Sequence, residues 1–416
     1  MQKTLDQKLA DIHANPSTSK AFILADAKDA DMAFGVGAPG RSPESHAGEA
    51  RARSLADYRD QIREIVRQGL VDIMLMSAST NDVLTIQERL FDKIAVTPAA
   101  RANDASDVFA VRGGGYLSEP SRPFRSSTLD HIQCGHIDCD DAERVRGANL
   151  GLYSITLNNR LDEDLATLEA YGRFRSEAEC VGFRHFLEVF SPNAPQGLAG
   201  SDVASFVNDH IARTLAGVAM AGRPLFLKMV YQGPRAMEEL VNYDPHLVVG
   251  VLGGSAGTTH DAFRLLHDAR KHGARAALFG RKINNAECQL AFVQFLRLLA
   301  GGEIEPAEAV RAYHGVLERL KIKPWRTLSA DLELTTGVTS YGGTTVPASH
   351  SESGRMASDG KKKDCGCGCD GKKPGGCTDK HTDHPLATSA KPDFSKMTTA
   401  EKTAYQKARR DRVFGL

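Results

Sequence analysis

Residues 224–234 read PLFLKMVYQGP, an apolar run that a single lysine interrupts. The run is too short for a typical helix and is bounded by proline and glycine, so it predicts a strand that is buried on both faces. Lys228 shares one face of this strand with Phe226 and Val230, because side chains alternate along a strand. An ammonium group out of water costs free energy unless it is paired or loses its proton. Lys228 is therefore either half of a structural ion pair or a reactive amine.

The strand at 225–231 is one of eight apolar runs that alternate with amphipathic, helix-like segments. The predicted strands cover 21–27, 71–78, 95–104, 148–157, 183–191, 225–231, 247–255 and 275–283. The predicted helices cover 54–70, 162–182, 202–222, 261–273 and 286–302. Eight strands alternating with helices are typical of a (β/α)8 TIM barrel, and a doubly wound open sheet is the main alternative.

The composition is that of an ordinary globular protein, with 416 residues, 41% of them hydrophobic and 25% charged. Lysine plus arginine equals aspartate plus glutamate at 52 each, so no net field favours nucleic acid or an anionic membrane. The N-terminus lacks the apolar run of a signal peptide and no stretch approaches transmembrane length, so we expect a cytoplasmic protein. In that compartment, eight cysteines indicate thiols or metal ligands rather than a disulfide framework.

Composition also divides the chain into three parts. Residues 1–320 carry the barrel pattern, 321–393 form a flexible linker rich in Gly, Ser, Lys and Cys, and 394–416 return to a helical pattern. The middle of the linker lacks the apolar content that a core requires, so we expect a disordered tail that ends in a short helix. Within the barrel pattern, a long irregular segment at 106–143 follows the third strand, and such a loop over a barrel mouth is usually functional.

In TIM barrels the reactive groups lie at the C-terminal ends of the strands. The residues that fall there are Asp26, Arg101, Asn103, Asp104, Glu188, Lys228, Gly253, Gly254, Gly280 and Arg281. A desolvated lysine has a lowered pKa and can be the neutral amine that Schiff-base chemistry requires. From its position alone, Lys228 is equally well explained as this reactive amine or as one half of an ion pair with a carboxylate on a neighbouring strand.

Two glycine sites end the last two predicted strands. The seventh strand ends in Gly253-Gly254, followed by Ser255, and the eighth ends in Gly280-Arg281. The loops after strands 7 and 8 of a barrel commonly bind phosphate through main-chain N–H groups and a helix N-terminus, and Arg281 could add a bidentate charge. Either site alone is a weak signal, but both together at the correct strand ends are fairly specific for a phosphate clamp.

These stretches resemble the class I aldolases of the DhnA type, a family that includes archaeal fructose-bisphosphate aldolase. The likeness is carried by FLKMVYQGP, LGGSAGTTHDAF and ALFGRKI, and it reaches back thinly to residue 20 through ILADAKDADMAFG and DDAERVRGANLGLYSITL. It implies a Schiff-base aldolase or lyase that acts on a phosphorylated sugar or keto compound and requires no cofactor. Lys228 would form the imine, Asp26 would be the acid/base of the first strand, and the two glycine sites would clamp phosphate. Arg101 and Asn103 join the predicted substrate site.

The chain departs from the family pattern at two places. The family's first strand usually continues Asp-His-Gly, whereas Asp26 is followed by Ala27-Lys28-Asp29. The aldolases carry a proton-transfer tyrosine on the fifth strand, and HFLEVFSPN has none. Glu188 could transfer protons instead, since a carboxyl in an apolar strand has a raised pKa, or it could only neutralise Lys228. The alternative function is therefore a non-catalytic sugar-phosphate-binding barrel with an assembly or targeting tail.

Two cysteine-rich stretches are candidates for metal sites. HIQCGHIDC at 131–139 offers four N/S ligands, although their spacing is tighter than in most structural zinc sites. Aligned with the family, the same stretch falls instead on a strand with alternate residues buried. The tail offers ligands for zinc or another soft metal, and its alternative is a charged linker with exposed thiols. The tail ligands are Cys365, Cys367, Cys369 and Cys377.

The terminal segment 394–416 resembles the short targeting peptides that bring enzymes into bacterial microcompartments or onto partner proteins. We expect it to bind a shell or partner protein, and the alternative is a helix that docks on its own barrel or mediates oligomerisation. The expected partners of the barrel are a phosphorylated small molecule and further copies of the chain in a homo-oligomer. Neither nucleic acid nor a membrane is expected as a partner.

Overall fold

The computed structural model describes residues 1–40, 42, 52–111, 113–254, 257–335 and 398. Ten strands lie in these ranges: β1 (Ile23–Lys28), β2 (Ile73–Met76), β3 (Thr97–Arg101), β4 (Asp104–Ala105), β5 (Pro123–Phe124), β6 (Leu150–Thr156), β7 (Arg184–Phe190), β8 (Leu227–Met229), β9 (Val249–Leu252) and β10 (Ala276–Phe279). Eight of them are parallel and close into a barrel in the order β1-β2-β3-β6-β7-β8-β9-β10, with β10 pairing to β1. The predicted TIM barrel is therefore confirmed.

The same described ranges contain thirteen α-helices, which lie between and after the strands. They are α1 (Thr4–Ala14), α2 (Asp31–Phe34), α3 (Leu55–Gln68), α4 (Ala78–Asn81), α5 (Leu129–Gln133), α6 (Leu161–Cys180), α7 (Val203–Ala216), α8 (Pro234–Tyr243), α9 (Thr259–Lys271), α10 (Arg281–Asn284), α11 (Gln289–Gly301), α12 (Pro306–Arg319) and α13 (Leu328–Asp331). Short 3-10 helices cover Gly35–Gly37, Tyr116–Ser118, Gly200–Asp202 and Met220–Gly222, and a π-helical segment covers Asp82–Gln87.

The helix starts that the sequence predicts are present in the structure. Ser54 caps α3 and Thr258 caps α9, each in a reciprocal capping box with an aspartate three residues later. All five predicted helices form, but the sequence analysis missed α1, α8 and α12. The helix α8 is only ten residues long and buries Met237 and Leu240.

The buried side chains of each strand separate into two sets that alternate along the chain. One set faces the barrel axis and includes Ala25, Phe186 and Phe226, and we call this side of the wall the inner face. The other set packs against the helices and includes Leu24 and Leu227, and we call it the outer face. Because both faces are buried, the strands read in sequence as continuous apolar runs rather than alternating ones.

The N-terminal helix α1 closes the end of the barrel at which the strands begin. Its residues Leu5, Leu9 and Ile12 belong to the same buried cluster as the inner face. The Lys3 ammonium donates hydrogen bonds to the carbonyl oxygens of Phe91, Ile94 and Val96, at 2.8, 2.8 and 3.0 Å. Within the described residues, α1 therefore covers the end of the barrel opposite the C-terminal ends of the strands.

The described residues continue past the predicted end of the barrel at residue 320. Asp331 accepts a hydrogen bond from the main-chain N–H of Thr259 at 2.8 Å, and the Thr258 hydroxyl donates to the carbonyl of Glu333 at 2.7 Å. This part of the predicted linker thus contacts the start of α9. Apart from Thr398, the rest of the predicted linker and the terminal segment lie outside the described residues. No helix in the described part of the chain is long and apolar enough to cross a membrane.

Candidate active site

Lys228 lies on the inner face of β8, between Phe226 and Val230, as the sequence predicts. Glu188 is its neighbour on β7, because the strand register pairs these two residues directly. The Lys228 Nζ is 2.5 Å from the Glu188 Oε1, and the two side chains are 5% and 0% exposed. The register of two strands therefore places a buried amine and a buried carboxylate in contact at the open end of the barrel.

Two further side chains of the inner face hold Glu188 in place. The Ser154 hydroxyl, on β6, donates to Glu188 Oε2 at 2.6 Å, and the Arg101 guanidinium, on β3, lies 3.5 Å from the same oxygen. Arg101 also donates to the Ser154 oxygen at 3.1 Å and to Asp29 Oδ2 at 2.7 Å. Glu188 thus keeps two partners that do not depend on Lys228, so its carboxylate stays oriented if the lysine reacts.

The charges of this inner cluster balance. Lys228 and Arg101 supply two cations, and Glu188 and Asp29 supply two carboxylates. Transfer of one proton from Lys228 to Glu188 turns that ion pair into two neutral groups and leaves the net charge of the cluster unchanged. Because the proton moves within one short contact, a neutral amine can form without stranding a buried charge.

An open cleft lies above this cluster at the C-terminal ends of the strands. Lys228 and Asp29 line it, together with Leu252, Leu278 and Arg281, and the Arg281 side chain lies over the Phe34 ring, 5.3 Å from its centre. The remaining lining residues are Ala27, Ala30, Gly253, Gly254 and Gly280. The cleft therefore combines an amine, a carboxylate and a guanidinium on small or apolar walls.

The structure does not bring Asp26 to this cleft. Asp26 and Lys28 share the outer face of β1 with Leu24, where the Lys28 ammonium donates to Asn284 and, at 2.8 Å, to Gln289. The Asp26 carboxylate lies 3.5 Å from Lys28, and both side chains are fully buried. The acid that the first strand contributes to the inner face is Asp29, which continues the alternation from Ala25 and Ala27. The sequence analysis did not select Asp29 because Asp26 is the residue that matches the first-strand acid/base of the aldolases that the chain resembles.

Burial shifts the pKa values of the outer pair strongly. Desolvation raises the pKa of Asp26 to about 6, with the Lys28 charge opposing the shift, and it lowers the pKa of Lys28 to about 8, with Asp26 opposing. Desolvation also lowers the pKa of Lys282 to about 8, and this lysine donates to the carbonyls of Gly257 and Thr258 at 2.7 and 3.1 Å. Neither Lys28 nor Lys282 lines the cleft.

The two glycine sites have a packing explanation. A Cβ at Gly253 would overlap the Phe279 ring, and a Cβ at Gly280 would come within 2.6 Å of the Ala27 carbonyl oxygen. The Gly253 N–H already donates to the Leu278 carbonyl at 2.8 Å. The Gly253 N–H is therefore not free to bind a phosphate, and the predicted clamp is left with Gly254, Gly280 and Arg281. Ser255 lies outside the described residues.

Asn103 and Arg101 both belong to the wall of the barrel. The Asn103 side chain donates to the Ser154 carbonyl at 2.8 Å and accepts from the Ser154 N–H at 2.6 Å, so it ties the chain after β3 to β6. Arg101 is 1% exposed and does not line the cleft. The predicted role of both residues in direct substrate binding is thus not what their contacts favour: Asn103 fixes a strand and Arg101 positions the two carboxylates.

Among the described residues, no tyrosine lines the cleft. Tyr153 and Tyr231 both belong to the cluster between strands and helices. Glu188 is therefore the titratable group in contact with Lys228.

Cysteine chemistry differs from the prediction. Cys134 and Cys139 form a disulfide, so in this oxidised form they are not the free thiols or metal ligands that the sequence predicts. Of the other described cysteines, Cys180 is exposed and Cys288 is half-buried, and both are free thiols. The four tail cysteines of the predicted soft-metal site lie outside the described residues.

No family model matches the chain, and no curated protein matches it. Among solved structures, the chain is similar to an archaeal fructose 1,6-bisphosphate aldolase, at 15% identity and a TM-score of 0.49, covering 72% of this chain and 100% of that one. A second structure, of an archaeal fructose-1,6-bisphosphate aldolase with its catalytic lysine bound to a carbinolamine intermediate, has 18% identity and a TM-score of 0.48, over 72% and 100%.

A third structure, of a Corynebacterium glutamicum protein, has 16% identity and a TM-score of 0.46, covering 72% of this chain and 98% of that one. These solved structures include archaeal fructose-bisphosphate aldolases, members of the family that the sequence resembles. A likeness of this size carries no argument about activity, so the function rests on the geometry of the cleft.

Proposed function

We propose that this protein is a Schiff-base-forming lyase that makes or breaks a carbon–carbon bond in a phosphorylated sugar or keto compound. One observation carries the proposal. Lys228 lines an open cleft at the C-terminal ends of the barrel strands, 2.5 Å from a fully buried carboxylate that two other side chains hold in place. A reactive amine needs access, a proton acceptor and a fixed orientation. The place of Lys228 in the cleft lining and its contact with Glu188 support these requirements.

The reaction begins with proton transfer from Lys228 to Glu188, which frees the amine lone pair. The amine attacks the substrate carbonyl carbon, and the resulting carbinolamine hydroxyl takes the proton back from Glu188 and leaves as water. The iminium then accepts the electron pair of the bond between its α and β carbons as that bond breaks, giving an enamine, and the β-hydroxyl carbon becomes the departing carbonyl. Asp29 lines the same cleft and is the second carboxylate that can take the proton from the departing carbonyl fragment.

Arg281 supports a phosphorylated substrate. It follows β10, lines the cleft together with Lys228, and is the guanidinium that faces this space among the described residues. Charge-assisted hydrogen bonds from arginine to phosphate are among the stronger polar contacts in proteins. We expect Arg281→Ala to weaken binding of a phosphorylated ligand about tenfold to a hundredfold and to leave its dephosphorylated analogue nearly unchanged. Equal losses for both ligands would assign Arg281 to the packing of Phe34.

Borohydride trapping tests the imine directly. The full-length protein is incubated with a panel of ketose phosphates and keto acids, reduced, digested and analysed by mass spectrometry. The proposal expects a stable adduct on Lys228 with at least one compound, no adduct in Lys228→Met, and an unchanged adduct in the matched control Lys282→Met. A label on Lys28 or Lys282, or none with any carbonyl compound, would contradict the proposal.

The ion pair itself favours a second candidate, a non-catalytic sugar-phosphate-binding barrel. An ammonium held 2.5 Å from a carboxylate is protonated and not nucleophilic, so Lys228 could serve to stabilise the barrel and to bind an anionic ligand. This candidate predicts binding of a sugar phosphate by calorimetry that depends on Arg281, together with no borohydride label on any lysine. Trapping and calorimetry on the same compounds separate the two functions.

A further inference from the structure

A loop far from the cleft gathers metal-ligating groups. Residues 134–147 connect α5 to β6 and so enter the barrel wall at the N-terminal end of a strand, whereas the cleft lies at the C-terminal ends. The ligand atoms of Cys134, His136 and Glu143 all lie within 4.8 Å of one another. The sulfur of Cys139 is bonded to that of Cys134. The loop therefore brings the Cys134 sulfur, one imidazole and one carboxylate to a single place, with the Cys139 sulfur bonded to that of Cys134.

The hydrogen bonds of His136 orient it as a ligand. Its Nδ1 lies 2.9 Å from the carbonyl oxygen of Ile137, which can only accept, so Nδ1 carries a proton. In the neutral ring Nε2 then carries a lone pair, and it faces Glu143 Oε2 at 3.1 Å. A lone pair opposite a carboxylate oxygen needs a cation between them, either a proton or a metal ion. A backbone carbonyl on the other ring nitrogen is the usual support of a metal-binding histidine.

The rest of the loop is held by contacts that do not involve sulfur. Asp130 accepts hydrogen bonds from the N–H of Asp138 at 3.0 Å and from Arg144 at 2.8 Å, and the Gly147 N–H donates to the Gln133 carbonyl at 2.7 Å. These bonds span both ends of the loop. Its fold therefore does not depend on the disulfide, and the two cysteines would stay close together after reduction.

We propose that reduction of the Cys134–Cys139 disulfide converts this loop into a zinc site with Cys134, Cys139, His136 and Glu143 as ligands. A dithiol reductant supplies two electrons and two protons, so the disulfide becomes two thiols and the reductant becomes a disulfide. Zinc then binds the two sulfurs and displaces their two protons. The sulfurs must move apart to about 3.8 Å, as two tetrahedral Zn–S bonds of about 2.3 Å require.

The ligand set selects zinc among common divalent cations. Two thiolates and an imidazole are soft or borderline ligands, which magnesium and calcium avoid and tetrahedral zinc prefers. Glu143 keeps Oε2 for the metal because its Oε1 accepts from Arg146 at 3.1 Å. The His136 and Glu143 side chains are 49% and 31% exposed, so the ion has a path from solvent.

Zinc uptake by the full-length protein tests the proposal. Because the tail holds four more cysteines, the test uses a background in which Cys365, Cys367, Cys369 and Cys377 are replaced by serine. The protein is prepared oxidised or reduced with a phosphine, dialysed against zinc, and analysed for metal by mass spectrometry. Cobalt uptake is followed in parallel, because tetrahedral thiolate-bound cobalt has intense visible absorption.

We expect one zinc per reduced chain and essentially none per oxidised chain. His136→Ala, which leaves both cysteines intact, should weaken zinc binding at least about tenfold, and Cys134→Ser with Cys139→Ser should abolish it. His131→Ala is the matched control, because this histidine contacts Thr128 and not the cluster, and it should bind zinc normally. The proposal is overturned by equal uptake in both redox states, by no uptake after reduction, or by uptake that survives the double serine variant.

Discussion

Two buried lysine–carboxylate pairs lie on opposite faces of the barrel wall. On the inner face, Lys228 and Glu188 are in contact at 2.5 Å and open onto the cleft. On the outer face, Lys28 and Asp26 are 3.5 Å apart and fully enclosed by the helices. Burial lowers the pKa of Lys28 to about 8 and raises that of Asp26 to about 6, the shifts by which catalytic groups are commonly sought.

The comparison shows that a perturbed pKa does not by itself mark a reactive lysine. The outer pair has the shifts but no access, since Lys28 is held by Asn284 and Gln289 beneath α11. The inner pair has access and a held carboxylate. Which face of a strand a side chain occupies therefore decides its chemistry, and both pairs can be tested by the same kind of substitution.

The largest expected effect separates the two lysines. Lys228→Met should lower turnover of a trapped substrate by at least about a thousandfold, because no other amine lines the cleft among the described residues. Lys28→Met should keep turnover per folded molecule within about threefold of wild type. Steady-state kinetics, with the folded fraction measured by circular dichroism, check this. Equal loss of turnover in both variants would remove the distinction between the faces.

The next effect concerns the inner carboxylate. Glu188→Gln keeps a side chain that can bond to Ser154 and Lys228 but cannot carry the proton, so turnover should fall about 10²- to 10⁴-fold. Borohydride adducts on Lys228 should still form, but more slowly. Ser154→Ala is the milder comparison and should cost about tenfold, since Arg101 still holds the carboxylate. A normal rate in Glu188→Gln would reduce this glutamate to a counter-ion.

A smaller effect is expected on stability from the outer pair. Lys28→Met leaves Asp26 buried without its cation and should lower the free energy of unfolding by about 3 kcal/mol. The double variant Asp26→Asn with Lys28→Met removes both charges and should be at least as stable as wild type. Urea unfolding of the two variants and wild type gives the comparison. A double variant as unstable as the single one would mean that packing, not charge, is lost.

The last effect is the change in the free energy of unfolding with pH. Between pH 4 and 6 the folded state holds a proton on Asp26 that the unfolded state has released, so stability falls as pH rises through this window. Between about pH 8 and 10 the folded state has lost the Lys28 proton that the unfolded state keeps, so stability rises with pH. Relative to the double variant, wild type should lose and then regain about 3 kcal/mol. A difference that does not change with pH would contradict both shifts.

The barrel could be predicted from the sequence because each strand is a short apolar run between turn residues. The same feature makes it impossible to predict whether each residue points to the inner or the outer face. Because both faces are buried, polar and apolar residues do not alternate along the strands. The sequence therefore does not show that Asp26 lies on the outer face. One signal was available: Ala25 and Ala27 are small, as crowded inner positions often are, and they place Asp29 on their own face.

Apart from the contact between Lys228 and Glu188, the contacts between distant segments could not be predicted. The position of Arg101 at a strand end predicts that it binds substrate. Its partners in the structure come instead from three other segments of the chain, at Asp29, Ser154 and Glu188. Asn103 looks like a polar strand-end residue until its amide is seen to bond the Ser154 backbone. Such roles depend on strand register, which a single sequence does not state.

The position of α1 has a consequence for the order in which the chain can mature. This helix is synthesised before the groups that fix it: Lys3 binds carbonyls at 91–96, and Asp6 pairs with Arg184 at 2.6 Å. At ordinary rates of synthesis the helix waits roughly ten to thirty seconds for the last of these partners. During that interval the apolar side of the helix, with Leu5, Leu9 and Ile12, has no barrel to pack against. We therefore expect chaperones to bind this segment in the nascent chain, although it is buried in the folded protein.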